Sequence, residues 1–354
     1  MLNASGTGSA SYSSMSIYPT GSARTISGTI AGAPLIDLNG ADNITIDGRI
    51  DATGSTKSLT ITNISTSTTA GTSTIRFINT AENNLMRYCI VKGSELYDYS
   101  GVIFFSTSTA GNGNSGNTVN YCSVTNEGGN RPINALYSNG SIGYLNSNNT
   151  ISNSEFYDFF TTWYNSAYTK STAITFANLT SSSTISVNSF YETTTITNPM
   201  YALTIINIGS SGNNFNITGN YLGGSAVNCG GSAFTISTIY AAGITCCSIN
   251  VDTAVASSIQ NNKIQNFNIS SGSSNLWYGF YIAAGSVNVG TITGNTIGAT
   301  TGTGNITSNY TNALDATTYG ISSTRSGTVN IENNTIGSIT TICATSAGHG
   351  FYGI

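Results

Sequence analysis

A six-residue pattern recurs along this chain: an apolar residue, two variable positions, a small polar residue, one variable position and a second apolar residue. It reads ITGNTI from Ile292, IQNNKI from Ile259 and IENNTI from Ile331. Eight copies place the small polar residue, here called the ladder residue, at Cys89, Cys122, Ser154, Asn188, Asn220, Asn262, Asn295 and Asn334. Successive ladder residues lie 32 to 42 residues apart. A pattern sustained at this period is typical of a stacked repeat architecture.

A second strand-like segment accompanies the pattern, rich in β-branched and aromatic residues, as in STIRF, GVIFF, TAITF, YALTI and YGFYI. Short strands joined by Ser, Thr, Asn and Gly, without a helical period, predict an all-β chain. A β-sandwich would also contain short strands, but it would lack a positional repeat of this length. We therefore predict a single-stranded parallel β-helix, a solenoid of about ten irregular rungs with lateral loops.

Stacking of the rungs gives each position of the pattern a role. Parallel rungs lie about 4.8 Å apart, so equivalent side chains sit above one another, and Ile292 and Ile297 are predicted to point inward. One predicted inward stack contains Phe190, Leu222, Ile264, Ile297 and Ile336. Ladder residues should line a corner, because an asparagine amide both donates and accepts hydrogen bonds and asparagine tolerates a left-handed backbone. A ninth copy, LTITNI, gives Thr62 the same role.

Composition limits the functions open to the chain. Only 7% of its 354 residues are charged and its net charge is -4, so there is no basic stripe for nucleic acid. No stretch approaches the roughly 18 apolar residues of a membrane-spanning helix. Apolar residues make up 39% of the chain, which is ample for a continuous core.

The chain is expected to form one continuous β-helix domain over residues 1–354, with N-terminal rungs in residues 1–58 and pattern-bearing rungs in residues 59–354. The first residues, MLNASGTGSASYSS, lack the basic and apolar regions of a secretory signal. The last residues, GHGFYGI, contain no capping element. We therefore expect a fragment of a longer chain, whose open end meets missing chain, another domain or another copy.

Six cysteines are present, and two of them, Cys89 and Cys122, are ladder residues on consecutive rungs. Neighbouring rungs bring Cα atoms within disulfide range, so a disulfide is possible. Buried thiols are the favoured interpretation, because cysteine packs as a small apolar residue. Zinc binding is not expected, since there is no CxxC spacing and only one histidine.

Catalytic and metal-binding groups are sparse. Gly348-His349-Gly350 matches the GHG element of polygalacturonases, but no Asp-Asp pair or basic partner accompanies it, and His349 is interpreted as replacing a repeat tyrosine. The densest carboxylate set includes Asp37, Asp42 and Asp47. Such oxygens are weak candidates for a Ca²⁺ site, and turn chemistry explains them better. No cofactor is predicted, and enzymatic activity is left open but disfavoured.

The aromatic stretch FYDFFTTWYNSAY covers residues 156–168. Exposed tyrosine and tryptophan rings form flat apolar platforms with a polar edge, which suits sugar rings. The candidate glycan-binding residues are Tyr157, Trp163, Tyr164 and Tyr168. The alternative, which is favoured, is that these rings only cover the flank of the β-helix.

The segment SIYPTGSARTISGTIAGAPLIDLNGADNITIDGRIDATGSTKSLTITN, with TAGTSTIRFINTAENNLMRYCIVKG, resembles the β-strand-repeat surface proteins of Bacteroidota. ITGNYLGGSA, ITGNTIGATTGT and IENNTIGSITT resemble the same family. The resemblance implies a right-handed parallel β-helix. It also implies export by the type 9 secretion route, a very long parent protein and an often adhesive role at the outer surface of a Gram-negative cell. It supplies no catalytic residues. Asp252-Thr253-Ala254 matches a short bacterial O-glycosylation pattern, which makes Thr253 a candidate acceptor.

Three functional hypotheses follow. The first is a non-enzymatic secreted or cell-surface segment, structural or adhesin-like, that contacts surface glycans or another protein. The second is a polysaccharide lyase or hydrolase on a β-helix. The third is a subunit of an extracellular filament that assembles end to end through self-association.

Overall fold

The structure, a computed structural model, describes residues 1–162, 170–197, 199, 202–209, 211–238, 243–272, 276–310, 316–324, 327–343 and 349–354, with the backbone alone at residues 316, 343 and 349. In these ranges the chain forms strands and two single-turn 3₁₀ helices, Ile50–Ala52 and Val227–Cys229. None of the described helices is long and apolar enough to cross a lipid bilayer.

Three long parallel sheets, A, B and C, run the length of the described chain, and each rung passes through them in that order. Sheet A consists of Leu2–Asn3, Pro34–Asn39, Ser73–Ile78, Ile103–Phe105, Asn134–Ser138, Lys170–Phe176, Ala202–Gly209, Ile244–Asn250, Leu276–Ala284, Ala316–Ser323 and His349–Tyr352. Sheet B consists of Met15–Ile17, Ile44–Asp47, Leu85–Arg87, Thr118–Asn120, Thr150–Ser152, Thr184–Ser186, Asn216–Thr218, Ser257–Gln260, Val287–Val289 and Val329–Ile331. Sheet C consists of Arg24–Gly28, Leu59–Asn63, Cys89–Gly93, Ser123–Asn126, Glu155–Tyr157, Ser189–Tyr191, Tyr221–Leu222, Lys263–Ile264, Thr296–Gly298 and Thr335–Gly337.

Two smaller parallel sheets, D and E, complete the described architecture. Sheet D follows sheet C in the later rungs and consists of Ile196–Thr197, Phe234–Thr238, Phe267–Ser271, Ile306–Tyr310 and Ile339–Cys343. Sheet E consists of Asn146–Ser147 and Thr180–Ser181. This architecture confirms the predicted parallel β-helix of about ten rungs.

The core is a set of vertical stacks of inward side chains. Phe190 pairs in register with Leu222, Leu222 with Ile264, and Ile264 with Ile297. All four are at most 1% exposed. Complete burial of such a side chain stabilises a fold by about 1.5–3 kcal/mol, so each rung adds its own increment of apolar burial.

The corner between sheets B and C carries a continuous ladder of asparagine amides. At Asn262, Oδ1 accepts from Asn220 N (2.9 Å) and Nδ2 (3.0 Å), while N and Nδ2 both donate to Asn295 Oδ1 at 2.9 Å. Its Nδ2 also donates to Ile217 O at 2.9 Å. Asn188 and Asn334 extend the same arrangement at either side. Both ends of each amide are thereby paired inside the protein, where an unpaired group would be costly.

The left-handed backbone of this corner falls one residue before the position that the sequence predicted. Tyr88, Tyr121, Asn153, Val187, Gly219, Asn261 and Asn333, each immediately preceding a ladder residue, have φ between 49° and 67°. All eight ladder residues are described, and none has a positive φ. The expectation that asparagine was selected in the ladder for its backbone was wrong. From Asn188 to Asn334 the side-chain amide bonds the rungs together, and the preceding residue makes the turn.

Two assignments of the six-residue pattern were also wrong. Ile292 is 84% exposed, and Val289 pairs with Ile259 in its place, because extra residues bulge outward between Val289 and the ladder. Thr62 pairs with Lys92 rather than with a ladder residue. In both rungs extra residues are inserted at the corner between sheets B and C, so the residues that match the six-residue pattern do not occupy its positions in the structure.

A second asparagine ladder lies at the corner between sheets A and B. Asn84 Nδ2 donates to Asn117 Oδ1 at 2.9 Å, and Asn117 Nδ2 donates to Asn149 Oδ1 at 3.2 Å. All three side chains are at most 3% exposed. Amide pairing therefore closes two of the corners in this part of the β-helix.

Asn262→Ala is expected to reduce the free energy of unfolding by about 3 kcal/mol or more, because it leaves buried partners on both neighbouring rungs without hydrogen bonds. Urea denaturation measures the change. The matched control is Asn330→Ala, since Asn330 is exposed and bonded to Asn288 at the surface. The control should change stability by less than about 0.5 kcal/mol. Equal effects of the two substitutions would contradict the role of the ladder.

Candidate functional site

Asp37, Asp42 and Asp47, the weak candidates for a Ca²⁺ site, do not form a common site among the described residues. Asp37 receives two hydrogen bonds from Arg76, at 2.9 and 2.8 Å, and these residues are register partners on adjacent strands. Asp47 is bonded by Arg49 and by its register partner Arg87. Burial alone would raise the pKa of Asp47, but the hydrogen bonds from Arg49 and Arg87 outweigh burial and lower it. These carboxylates bond neighbouring rungs together.

Asp42, the remaining candidate ligand, accepts a hydrogen bond from Glu82 N at 2.7 Å. Burial raises the pKa of Asp42. Within the described residues, no group of three or more His, Cys, Asp or Glu side chains is placed to hold a metal ion. Asp42 therefore acts as a local acceptor between two rungs.

A polar network covers the outer face of sheet C. Lys57 forms an ion pair with Glu155 and donates to Ser123 Oγ at 2.6 Å. Ser123 Oγ donates to Glu155 Oε1 at 2.7 Å, and Tyr191 OH donates to Glu155 Oε2 at 2.8 Å. Burial opposes ionisation of Glu155, but the hydrogen bonds from Lys57, Ser123 and Tyr191 lower its pKa below the ordinary value. Burial and the neighbouring Glu155 raise the pKa of Tyr191, which keeps its hydroxyl protonated as the donor.

A second charged cluster lies where sheet C ends. Arg131 Nη2 is 3.2 Å from Asp158 Oδ1 and 2.7 Å from Glu192 Oε2, although the contact with Glu192 Oε2 lacks hydrogen-bond geometry. Glu192 Oε1 accepts from the backbone N–H groups of Phe159 and Phe160, both at 3.1 Å. Burial raises the pKa of Glu192 to about 8, against the opposing effect of Arg131.

This cluster adjoins an open cleft of about 470 Å³, which is lined by Thr66, Leu96, Gly129, Asn130, Arg131, Thr161 and Thr162. Two carboxyl groups on one arginine nitrogen are close enough for glycoside hydrolysis, which uses separations of about 5–10 Å. However, the Glu192 side chain is 0% exposed and that of Asp158 only 14% exposed. Glu192 cannot reach a substrate in the cleft, and it acts instead as an internal cap for the chain at Phe159 and Phe160.

The predicted aromatic site is described only at its beginning. Tyr157 is half-buried on the outer face of sheet C, with its ring stacked on Tyr191 at 5.1 Å and an interplanar angle of 5°. Trp163, Tyr164 and Tyr168 lie outside the described residues. Tyr157 therefore packs along the stack of rungs, as the alternative interpretation of this segment proposed.

The remaining sequence candidates occupy separate places. Cys89 and Cys122 are buried free thiols. The Cys122 Sγ donates to Met86 O at 3.7 Å, and Asn262 Nδ2 makes the equivalent bond to Ile217 O. A hydrogen bond with Cys122 and burial raise the pKa of Cys89. Thr253 lies on an exposed turn. His349 pairs with Ala316, so the interpretation that it replaces a repeat tyrosine was wrong. The residue in register with the repeat tyrosine Tyr319 is Tyr352.

Sequence reasoning did not find Lys57, Glu155, Arg131 or Glu192. Lys57 and Glu155 are 98 residues apart, and the loop that carries Lys57 lies outside the repeat. Glu155 and Glu192 offered a weak signal, because charged residues are rare in this chain. Charge scarcity identifies candidates, but it does not say which of them meet.

No protein-family profile and no curated protein sequence matches the chain. The mannuronan C-5 epimerase AlgE6 A-module of Azotobacter vinelandii is similar over 96% of this chain and 90% of that module, at 14% identity and a TM-score of 0.44. The Agl-KA catalytic domain is similar over 92% of this chain and 62% of that domain, at 13% identity and a TM-score of 0.29. Both similarities are too distant to assign an activity or a ligand.

Glu192 is expected to make the protein less stable as pH rises from about 5 to 8. Its folded pKa of about 8 lies above the ordinary 4.5, so the folded protein keeps a proton that the unfolded chain releases in this window. Urea denaturation at pH 5 and pH 8 measures the free energy of unfolding at each pH. In Glu192→Gln this free energy should fall less between the two pH values than in the wild type, by an amount that corresponds to the release of up to one proton on unfolding. Glu332→Gln, at an exposed position, is the control and should leave the slope unchanged. A Glu192→Gln slope equal to that of the wild type would contradict the assignment.

Cys89 and Cys122 are expected to resist alkylation by iodoacetamide in the folded protein and to react fully after unfolding without reductant. Both thiols are buried, and the raised pKa of Cys89 further suppresses its reactive thiolate. Peptide mass spectrometry distinguishes the two states. A peptide pair linked by a disulfide between these residues would refute the free-thiol assignment.

Proposed function

We propose that this chain is a non-catalytic structural segment of a secreted or cell-surface protein, a rigid β-helical rod that spaces or presents other parts of that protein. The resemblance to Bacteroidota surface repeats and the weakly charged, Ser/Thr/Asn-rich composition support an extracellular setting. The role is mechanical and adhesin-like, with glycans or another protein as the partner.

The observation that carries the proposal is how the chain uses its charged side chains. Asp37 and Asp47 pair with arginines of the next rung. Glu127, Glu155 and the Asp158–Glu192 pair are bonded to Lys92, Lys57 and Arg131 respectively. The pairs Asp37–Arg76 and Asp47–Arg87 are cross-strand ion pairs, which reinforce the stacking of rungs. Most of these carboxylates therefore serve to hold parts of the rod together, and Asp37 and Asp47 bond adjacent rungs directly.

A polysaccharide lyase or hydrolase is the competing function, and the Asp158–Glu192 pair beside the cleft is the observation that favours it. A catalytic acid must come within hydrogen-bond reach of the bond that it cleaves. Complete burial of Glu192 and its two backbone hydrogen bonds oppose that role. The structural function is therefore preferred.

Product release from polysaccharides tests the proposal. The purified chain is incubated with neutral and acidic polysaccharides, and reducing ends and unsaturated uronates are measured. Release should not exceed that of the double variant Asp158→Asn/Glu192→Gln. Turnover by the wild type that the double variant abolishes would establish the enzymatic function instead.

A further inference from the structure

The corner between sheets B and C holds three bulky residues where the backbone favours glycine or asparagine. Asn153, Gly219, Asn261 and Asn333 occupy this left-handed position in four rungs, whereas Tyr88, Tyr121 and Val187 occupy it in three others. A positive φ is unfavourable for bulky residues, and most of all for β-branched ones. Strain of this kind concentrates at sites where function requires the side chain.

The side chains at these strained positions face outward. Tyr121 is 42% exposed and Val187 is 51% exposed, so neither contributes to the core. The rings of Tyr88 and Tyr121 stack at 4.8 Å with an interplanar angle of 10°, and the Arg49 guanidinium lies 4.8 Å from the centre of the Tyr88 ring. Arg49 and Tyr88 thus hold the Tyr121 ring in a fixed orientation at the surface.

Tyr121 and Val187 border a groove of about 270 Å³ on the outer face of sheet C. Two lateral loops extend over the groove, one from an earlier rung and one from a later rung. Lys57 comes from the loop before Leu59–Asn63, and Val227 and Asn228 come from the loop after Tyr221–Leu222. Asn228 N donates to Ser189 Oγ at 3.0 Å, which fixes the second loop to the floor. The groove is therefore built by long-range contacts and is not a gap between neighbouring side chains.

We propose that this groove binds a neutral saccharide chain, with Tyr121, Val187 and Val227 contacting the C–H faces of the sugar rings and Lys57, Glu155 and Asn153 bonding to hydroxyls. This site is separate from the aromatic segment 156–168 and goes beyond the structural function proposed above. It crosses three rungs, about 10 Å, which suits an extended chain laid across the strands.

The mixture of groups in the groove selects this ligand class. Exposed apolar surface, including Val227 at 46% exposure, alternates with donors and acceptors, as a sugar ring alternates C–H faces and hydroxyls. The ion pair of Lys57 with Glu155 leaves no net charge in the groove. An acidic sugar would have to compete with Glu155 for Lys57, so a neutral sugar fits better.

Binding to an array of neutral and acidic glycans, followed by calorimetry with the best neutral oligosaccharide, tests this inference. The key variant is Tyr121→Asn, which removes the ring but suits the left-handed backbone, as Asn261 does in its own rung. It should weaken binding about tenfold while leaving the unfolding midpoint unchanged or higher. Tyr99→Asn removes an exposed ring elsewhere and should leave binding unchanged.

Three results would overturn the inference: no binding to any neutral glycan, binding to acidic glycans alone, or equal affinity of Tyr121→Asn and the wild type. A lower unfolding midpoint for Tyr121→Asn with unchanged binding would assign the ring a purely structural role. Polysaccharide cleavage in the earlier assay would refute the structural function while leaving saccharide binding at this groove to be judged by affinity.

Discussion

The amide ladder between sheets B and C is the interaction on which the rest of the molecule depends. Parallel strands hold their neighbours through backbone hydrogen bonds, but at this corner the N–H groups of Asn220 and Asn262 donate to side-chain oxygens instead. Each ladder asparagine supplies those bonds, as Asn262 does for Asn220 above and Asn295 below. From Asn188 to Asn334 each corner is thereby fixed to the next, and the inward stacks of sheet C follow the same vertical lines.

Once the ladder fixes the rung, the chain can carry insertions without losing register. The 3₁₀ turn Ile50–Ala52 lies in an insertion before Leu59–Asn63, yet Leu59 still pairs with Cys89. Such insertions project from the outer face, and some of them carry charged residues that meet charged side chains of the strands. Lys57 reaches Glu155 from one of them, so a repetitive scaffold acquires a local and non-repeating surface. This division explains how a chain so uniform in composition still forms distinct clefts.

Sequence reasoning predicted the elements that obey the repeat and missed those that depart from it. The spacing of the repeat correctly predicted the ladder from Asn188 to Asn334 and the stack from Phe190 to Ile297. In a stacked fold, residues at equivalent positions of successive repeats lie directly above one another. The prediction that Ile292 points inward was wrong. Ile292 matches the sequence pattern, but an insertion places it outside the strand, and Val289 takes the inward position. The candidate sites were hardest to predict. Their residues meet through loops whose path depends on tertiary contacts and leaves no periodic signal.

Amide hydrogen exchange tests the central claim most directly, because turns normally exchange rapidly whereas buried, bonded amides do not. The N–H groups of Asn188, Asn220 and Asn262 each bond to the next amide oxygen. Their protection should equal that of the strands at Ile217 and Ile259 on the same rungs. Exchange of these corner amides within seconds, with the adjacent strands still protected, would contradict a ladder that holds the rungs together.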